Sequence, residues 1–509
     1  VVLKSRDCSD REGCQYPRDI QKNRVTNCSN DSYRYALSSD IRDIREILNK
    51  KSMLFPVGIG AGVMKKNWQL PWLGFALTLL VVLVGATAVR SQMIEPLVVE
   101  RTGEFCVDDS ACFNRYHPDI PPAAMAKPGQ QIVLGTRDAF DGAFGPASTP
   151  EDVVAADLAL VHPMTGPIYI EGAKRGDVLA VTLEDIEPDP YGYTVIAPGF
   201  GFLRDLFPDP YIANWSLDRS AAVSEEIPQV RIPFAPFSGS MGVLPGEAEL
   251  DIFLTREAEL AEVGGISLTP LPTGALPDEL CGPEGTDKDR CVRTIPPREN
   301  GGNMDVKQMQ VGTTILFPCF VDGCGLFAGD VHYAQGDGEV SGTAIEMGAT
   351  VTVSTEIREG LGAQVKAPQF EGGDQLKALA PEKFYATTGI PIKKAGEIPP
   401  YHTYLNSEVL EPLSNLSEDL TLAARNALID MVDYLVANHG LTREQAYVVA
   451  SVAADLRIGQ LVDVPNYLVS AIIPLTIFPE SAVSQNSFQN ISQNISQSNA
   501  QRNTEVAVR

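Results

Sequence analysis

Basic side chains are scarce. The 509 residues include 40 Lys and Arg against 65 Asp and Glu, a formal charge of −25. That balance argues against sequence-independent nucleic-acid binding and against docking on anionic lipid, both of which need a cationic face. Histidine is scarcer still, with five in the whole chain. None of them falls in a His-Glu-x-x-His pattern, and neither Gly-x-Ser-x-Gly nor a phosphate-binding loop occurs. The usual signatures of metalloproteases, serine hydrolases and nucleotide-binding proteins are therefore missing. Aromatics reach only 7%, whereas 43 glycines and 37 prolines supply many turns. Such text favours short strands over long helices.

The acidity is unevenly spread. Residues 1–63 carry 11 basic and 8 acidic side chains and show no sustained apolar period. They read as a disordered leader lying upstream of the fold. Met64-Lys65-Lys66 then precedes an uncharged apolar run from Leu70, ending in the small residues Ala86 and Ala88. This is the layout of a secretory signal peptide over 64–88, cleaved after Ala88. If it stays uncleaved, the same run is long enough to anchor in a membrane. The remainder holds 27 basic against 57 acidic residues, so all the excess acidity belongs to the exported part. A secreted or periplasmic location follows.

Six cysteines lie beyond the signal, in three sequence-local pairs: Cys106 with Cys112, Cys281 with Cys291, and Cys319 with Cys324. An even count in an exported chain reads as disulfides, with neighbour pairing the simplest of the possible connectivities. Loops this short pin turns and contribute little to global stability.

Periodicity predicts a β-dominated α+β protein, with sandwich- or barrel-like sheets and a small helical α+β part near the C-terminus. A β-rich region spans 89–263, including strands at Gln131–Leu134 and Asp177–Leu183 fed by Gly and Pro turns. Residues 264–300, rich in proline, form a loop connector. Residues 301–480 return to strands at 313–317, 338–342 and 349–354, followed by two helices. Ser417 is the expected N-cap of the first helix and Thr442 of the second. From 481 a Gln/Asn/Ser-rich tail shows no pattern that could pack.

One stretch concentrates polar chemistry: Asp330-Val-His332-Tyr-Ala-Gln-Gly-Asp337-Gly-Glu339. On a strand, Asp330 and His332 share a face. Carboxylate and imidazole together either hold a divalent cation or orient the imidazole as a general base. A second stretch, Asn300-Gly-Gly-Asn303-Met-Asp305-Val-Lys307, places amide- and cation-binding groups on a tight glycine loop. His117 and His162 each precede a proline at a strand–loop junction.

Read together, these segments resemble the acetamidase/formamidase family. The resemblance rests on Asn114–Pro122, His162–Asp177, Pro198-Gly-Phe-Gly201, Pro236–Val243, Pro297–Asp305, Gly329–Glu339 and Asp463-Val-Pro-Asn466, and runs from about residue 110 to 478. It implies hydrolysis of a short aliphatic amide to carboxylate and ammonia, a β-rich fold and a homo-oligomer. Under it, Asp305, Asp330 and His332 are expected to hold a cation or position water. Asp337 or Glu339 would then move protons, while Lys307 or the Gly301-Gly302 amides stabilise the oxyanion. His117, His162 and Asn303 are expected to bind substrate. Zinc is the first choice of cation and calcium the second, since carboxylates outnumber imidazoles, with a metal-free pocket also open. The alternative is a non-catalytic periplasmic module holding a cation or amide ligand in the same pocket.

Overall fold

The computed structural model describes residues 94–479. The leader, the signal segment and the tail from 481 named above lie outside the described residues.

Long β-branched runs make the centre of the structure. Gly176, with φ +93°, closes the turn before Val178–Ile196, and Asp177 accepts the amides of Lys174 and Gly360 at 2.8 Å each. Val178 to Leu183 is buried almost throughout, as a strand covered on both faces requires. It pairs antiparallel with Glu346–Arg358 along nearly its whole length and with Thr314–Pro318 on its other side. Within one large sheet the order runs from Tyr211–Leu217 through 178–196, 346–358, Leu326–His332 and Phe237–Val243 to Gly301–Asn303. Strands from both sides of the 264–300 connector thus alternate in a single sheet. The expected β-dominated α+β class is what forms.

The principal core joins Leu134, Val181, Leu183, Trp215, Val351 and Val353 to Leu428, Met431, Val432 and Leu435 of the helix Leu420–His439. Each fully buried side chain of this size contributes roughly 1.5–3 kcal/mol. The helix also covers a three-stranded sheet of Phe384–Gly389, Leu468–Pro474 and Asp455–Gln460. Its N-cap is Asp419, which accepts the Leu422 amide at 2.8 Å, and not the expected Ser417. Ser417 lies in a left-handed turn, φ +52°, three residues before the helix begins. Gly440 ends the helix in the left-handed region. Thr442 caps Arg443–Ala453 as expected, with Gln445 completing a capping box.

Two further expectations fail. Glu247–Glu262 is a helix although it lies within the region 89–263 expected to be β-rich. Only Leu250 and Phe253 are buried in it, so its apolar period is too thin to announce itself. Residues 338–342 form turns, because Gly338, Glu339 and Gly342 all have positive φ. The three cysteine pairs are disulfides with the neighbour connectivity. Among the described residues no helix is long and apolar enough to cross a membrane.

Candidate active site

Four strands bring the site together. Phe237–Val243 is the hub: Ser240 lies opposite Asn303 on one side and Gly329 on the other, and Phe237 lies opposite His332. Glu346 opens the next strand directly across from His332. Gly239 accepts the amides of Met304 and Asp305 on its carbonyl, at 3.0 and 3.2 Å. A Cβ there would stand 2.7 Å from His332 Nε2 and 2.8 Å from Asp305 Oδ1, so only glycine leaves room. Asp305, Asp330 and Glu339 adopt left-handed backbone, at φ +51°, +50° and +40°. Such conformations cost of order 1–3 kcal/mol each and collect at functional sites.

The side chains converge on His332 Nε2. Glu346 Oε2 is 3.2 Å away, Asp330 Oδ1 3.5 Å and Asp305 Oδ1 3.9 Å. His162 Nε2 stands 4.0 Å from Asp330 Oδ2, whose other neighbour is the Ser240 hydroxyl, donating at 3.1 Å. Ser240 also contacts Asn303 Oδ1 at 3.0 Å. Asp330, His332 and Glu346 are no more than 2% exposed, whereas the Asp305 side chain keeps 18%. The pocket therefore opens on the side of Asp305 and Glu339, both of intermediate burial.

This crowding sets the electrostatics. Burial pushes the Asp305 carboxyl well above the usual carboxylate range, and Glu339 adds to the shift. Burial likewise raises Glu339 to about 8 and Glu346 to about 7, against the pull of His332 in both cases. Burial acts on Asp330 in the same sense, but His162 and His332 outweigh it and hold Asp330 below its ordinary value. Burial opposes charge on His332, yet Glu346 and Asp330 carry it well above the usual imidazole range. His162 is lowered by its burial. The groups have been driven apart, as acid–base sites require.

Four buried atoms of these residues have no hydrogen-bond partner: His162 Nδ1, Asp305 Oδ1, His332 Nε2 and Glu346 Oε2. An unpaired buried polar atom costs about 1–3 kcal/mol. Asp305, His332 and Glu339 form one possible ligand set and Asp330, His332 and Glu346 another, each with ligand atoms within 4.8 Å of one another. These acid and imidazole groups fit a divalent cation: in the first set it would satisfy Asp305 Oδ1 and His332 Nε2, in the second His332 Nε2 and Glu346 Oε2.

The structure brings together Asp305, Asp330, His332, Glu339, His162 and Asn303. It employs the other three expected residues elsewhere. Lys307 is ion-paired with buried Asp455. Both Asp337 oxygens accept from Gln308, at 2.9 and 3.1 Å. His117 contacts Asp287 at 2.8 Å through Nε2 and accepts the Asp119 amide at 3.1 Å on Nδ1. Its ring thereby fastens the loop closed by Cys281–Cys291. Glu346 is not among the expected residues, because only the register between two strands sets it against His332. Ser240 offered no local signal either.

A family model described as the Acetamidase/Formamidase family matches residues 99–480. An acetamidase of Mycolicibacterium smegmatis is 34% identical over 362 residues, covering 66% of this chain and 84% of that protein. A formamidase of Methylophilus methylotrophus is 31% identical over 389 residues, covering 73% and 90%. Among solved structures, a gamma lactamase from Delftia acidovorans matches with a TM-score of 0.68 at 28% identity, over 77% of this chain and 98% of that one.

Proposed function

The chain belongs to the acetamidase/formamidase family, and from that membership we propose that it hydrolyses short aliphatic amides to carboxylate and ammonia in the His332 pocket. The observation that carries this reading is the set of orphaned atoms on Asp305, His332 and Glu346, beside which Asp305 and Glu339 keep partial exposure. Asp330, His332 and Glu346 would hold a divalent cation, zinc before calcium. Such a cation, when bound, lowers the pKa of a bound water and polarises a carbonyl.

The chain's own groups supply the rest. Asn303 has its Oδ1 beside the Ser240 hydroxyl, which leaves its NH2 to donate to the substrate carbonyl. His162, kept neutral by burial, lines the same wall. Glu339, with its pKa near 8, takes the proton as water adds to the amide carbon. It then gives that proton to the nitrogen as the C–N bond breaks and ammonia leaves. Lys307 is bound to Asp455, so the oxyanion rests on Asn303 and not on that ammonium.

Export to a secreted or periplasmic space is part of the proposal, supported by the Lys65–Ala88 segment and by the three disulfides. Self-association is also proposed, supported by exposed Phe384, Val409, Ile458 and Val462.

Ammonia release from formamide and acetamide, and ring opening of a gamma-lactam to its amino acid, each with and without chelator, test the reading. Turnover of at least one linear amide, lost on chelation and restored by Zn2+, is expected. Binding of amide without ammonia release would favour the non-catalytic module.

A further inference from the structure

Gln335 belongs to none of the expected site residues, yet it touches two of them. Its side chain is 4% exposed. Its Nε2 donates to the backbone carbonyl of Asp305 at 2.8 Å, and its Oε1 stands 2.8 Å from His332 Nδ1. These two contacts fix which way the amide points. Turned over, it would set its oxygen against the Asp305 carbonyl, two acceptors face to face. With the oxygen on His332, Nδ1 must carry a hydrogen, because an amide oxygen only accepts.

We propose that Gln335 is a positioning residue that keeps a hydrogen on His332 Nδ1, so that Nε2 is the ring nitrogen left to serve the ring of carboxylates and any cation they hold. The opposite tautomer would place two lone pairs against each other at Nδ1. Nε2 has no hydrogen-bond partner and faces Glu346, Asp330 and Asp305. That is the arrangement of a histidine ligand whose outer nitrogen is held by a neighbour, and such neighbours typically carry 10–100-fold in metal affinity. The same amide grips the carbonyl of Asp305, a residue in left-handed backbone. One side chain therefore sets both the ring and the loop that bear possible ligands. The metal part of this inference rests on the cation reading above; the tautomer does not.

Behind Gln335 lies a cavity of about 410 Å³, also lined by Lys307 and Ala334, which gives space for a hydrated substitution. Two variants use it. Gln335→Glu keeps an acceptor for Nδ1–H and, as the protonated acid, a donor to the Asp305 carbonyl, whereas Gln335→Leu keeps the volume and removes both. Zn2+ affinity, measured by chelator competition on the full chain, is expected to fall about 10–100-fold in Gln335→Leu and to stay within about 3-fold of wild type in Gln335→Glu. A residue that merely packs would give the reverse order, since Leu preserves packing and Glu buries an ionisable group. That reverse order would overturn the proposal.

With only five histidines in the chain, 15N-histidine NMR reads the tautomer directly in wild type. A protonated Nδ1 on His332, with or without Zn2+, is expected, and an unprotonated one would also overturn the proposal. If wild type takes up no Zn2+, the cation reading fails while the NMR result still decides the tautomer. If Gln335→Leu does not fold, the wild-type spectrum and Gln335→Glu remain decisive.

Discussion

His332 Nε2 lies 3.2 Å from Glu346 Oε2, and the two residues are directly opposed on neighbouring antiparallel strands. Both are essentially without solvent exposure, and neither atom has a hydrogen-bond partner. A cross-strand pair of this kind is positioned by the ladder itself, so its geometry does not depend on a mobile loop. The other Glu346 oxygen accepts the Ala344 amide at 2.8 Å, which aims the free one at the histidine.

Glu346→Gln should separate stability from activity. Burial holds this carboxyl near pH 7, so its ionised form weakens the metal-free fold. The amide removes that strain, and the metal-free variant should melt roughly a few degrees higher than wild type. Ammonia release should fall by about 100-fold or more, as expected for a lost ligand. Calorimetry with a turnover assay checks both, and full activity in a destabilised variant would contradict the assignment.

Cation binding should release protons. Glu346 at about 7 and Glu339 at about 8 keep protons in the folded, metal-free chain that the unfolded chain gives up near its ordinary value of 4.5. The folded state thus binds more protons between those limits, and metal-free stability should fall as pH climbs from about 5 to 8. Zn2+ must displace the same protons, so its apparent affinity should rise over that range. Titration calorimetry in buffers of different ionisation enthalpy measures the release directly. A pH-independent affinity would mean that these carboxyls are already ionised.

What the sequence discloses of this site follows from range. Asp330 and His332 are readable because alternate residues on a strand share a face. Asp305 and Asn303 announce themselves beside a glycine pair. Glu346 stays hidden because its pairing with His332 depends on the register between two strands, which no local spacing encodes. Lys307 misleads for the converse reason: its partner Asp455 lies 148 residues away. Gln335 sits in plain view three residues after His332, but its role needs the Asp305 carbonyl to orient the amide. The strands of the large sheet are legible through their β-branched runs, whereas the helix Glu247–Glu262 buries too few residues to leave a period.

Gly239→Ala should disable the pocket without unfolding the chain. The added methyl would press on both His332 and Asp305, at 2.7–2.8 Å from their facing atoms. Overpacking of this sort costs about 1–3 kcal/mol, which a domain of this size survives. Turnover should drop by about 100-fold, since displacements near 1 Å are enough for that. A folded variant with wild-type turnover would show that the backbone at 239 can retreat.

Lys307→Ala should act on stability before it acts on chemistry. The ammonium is buried against Asp455, which also accepts the Asp337 amide at 3.2 Å and contacts Arg457 at 3.1 Å. Removing one member of a buried pair leaves the other uncompensated, at a cost of about 3–5 kcal/mol. Arg457 is half exposed and lessens that cost, which points to the lower end. Urea denaturation should therefore show a loss of about 3 kcal/mol, and adding Asp455→Asn should recover part of it. In the folded fraction, kcat should stay within a few-fold of wild type, because Lys307 is engaged by Asp455 and not by the substrate carbonyl. A variant as stable as wild type that no longer turns over amide would return Lys307 to the reaction.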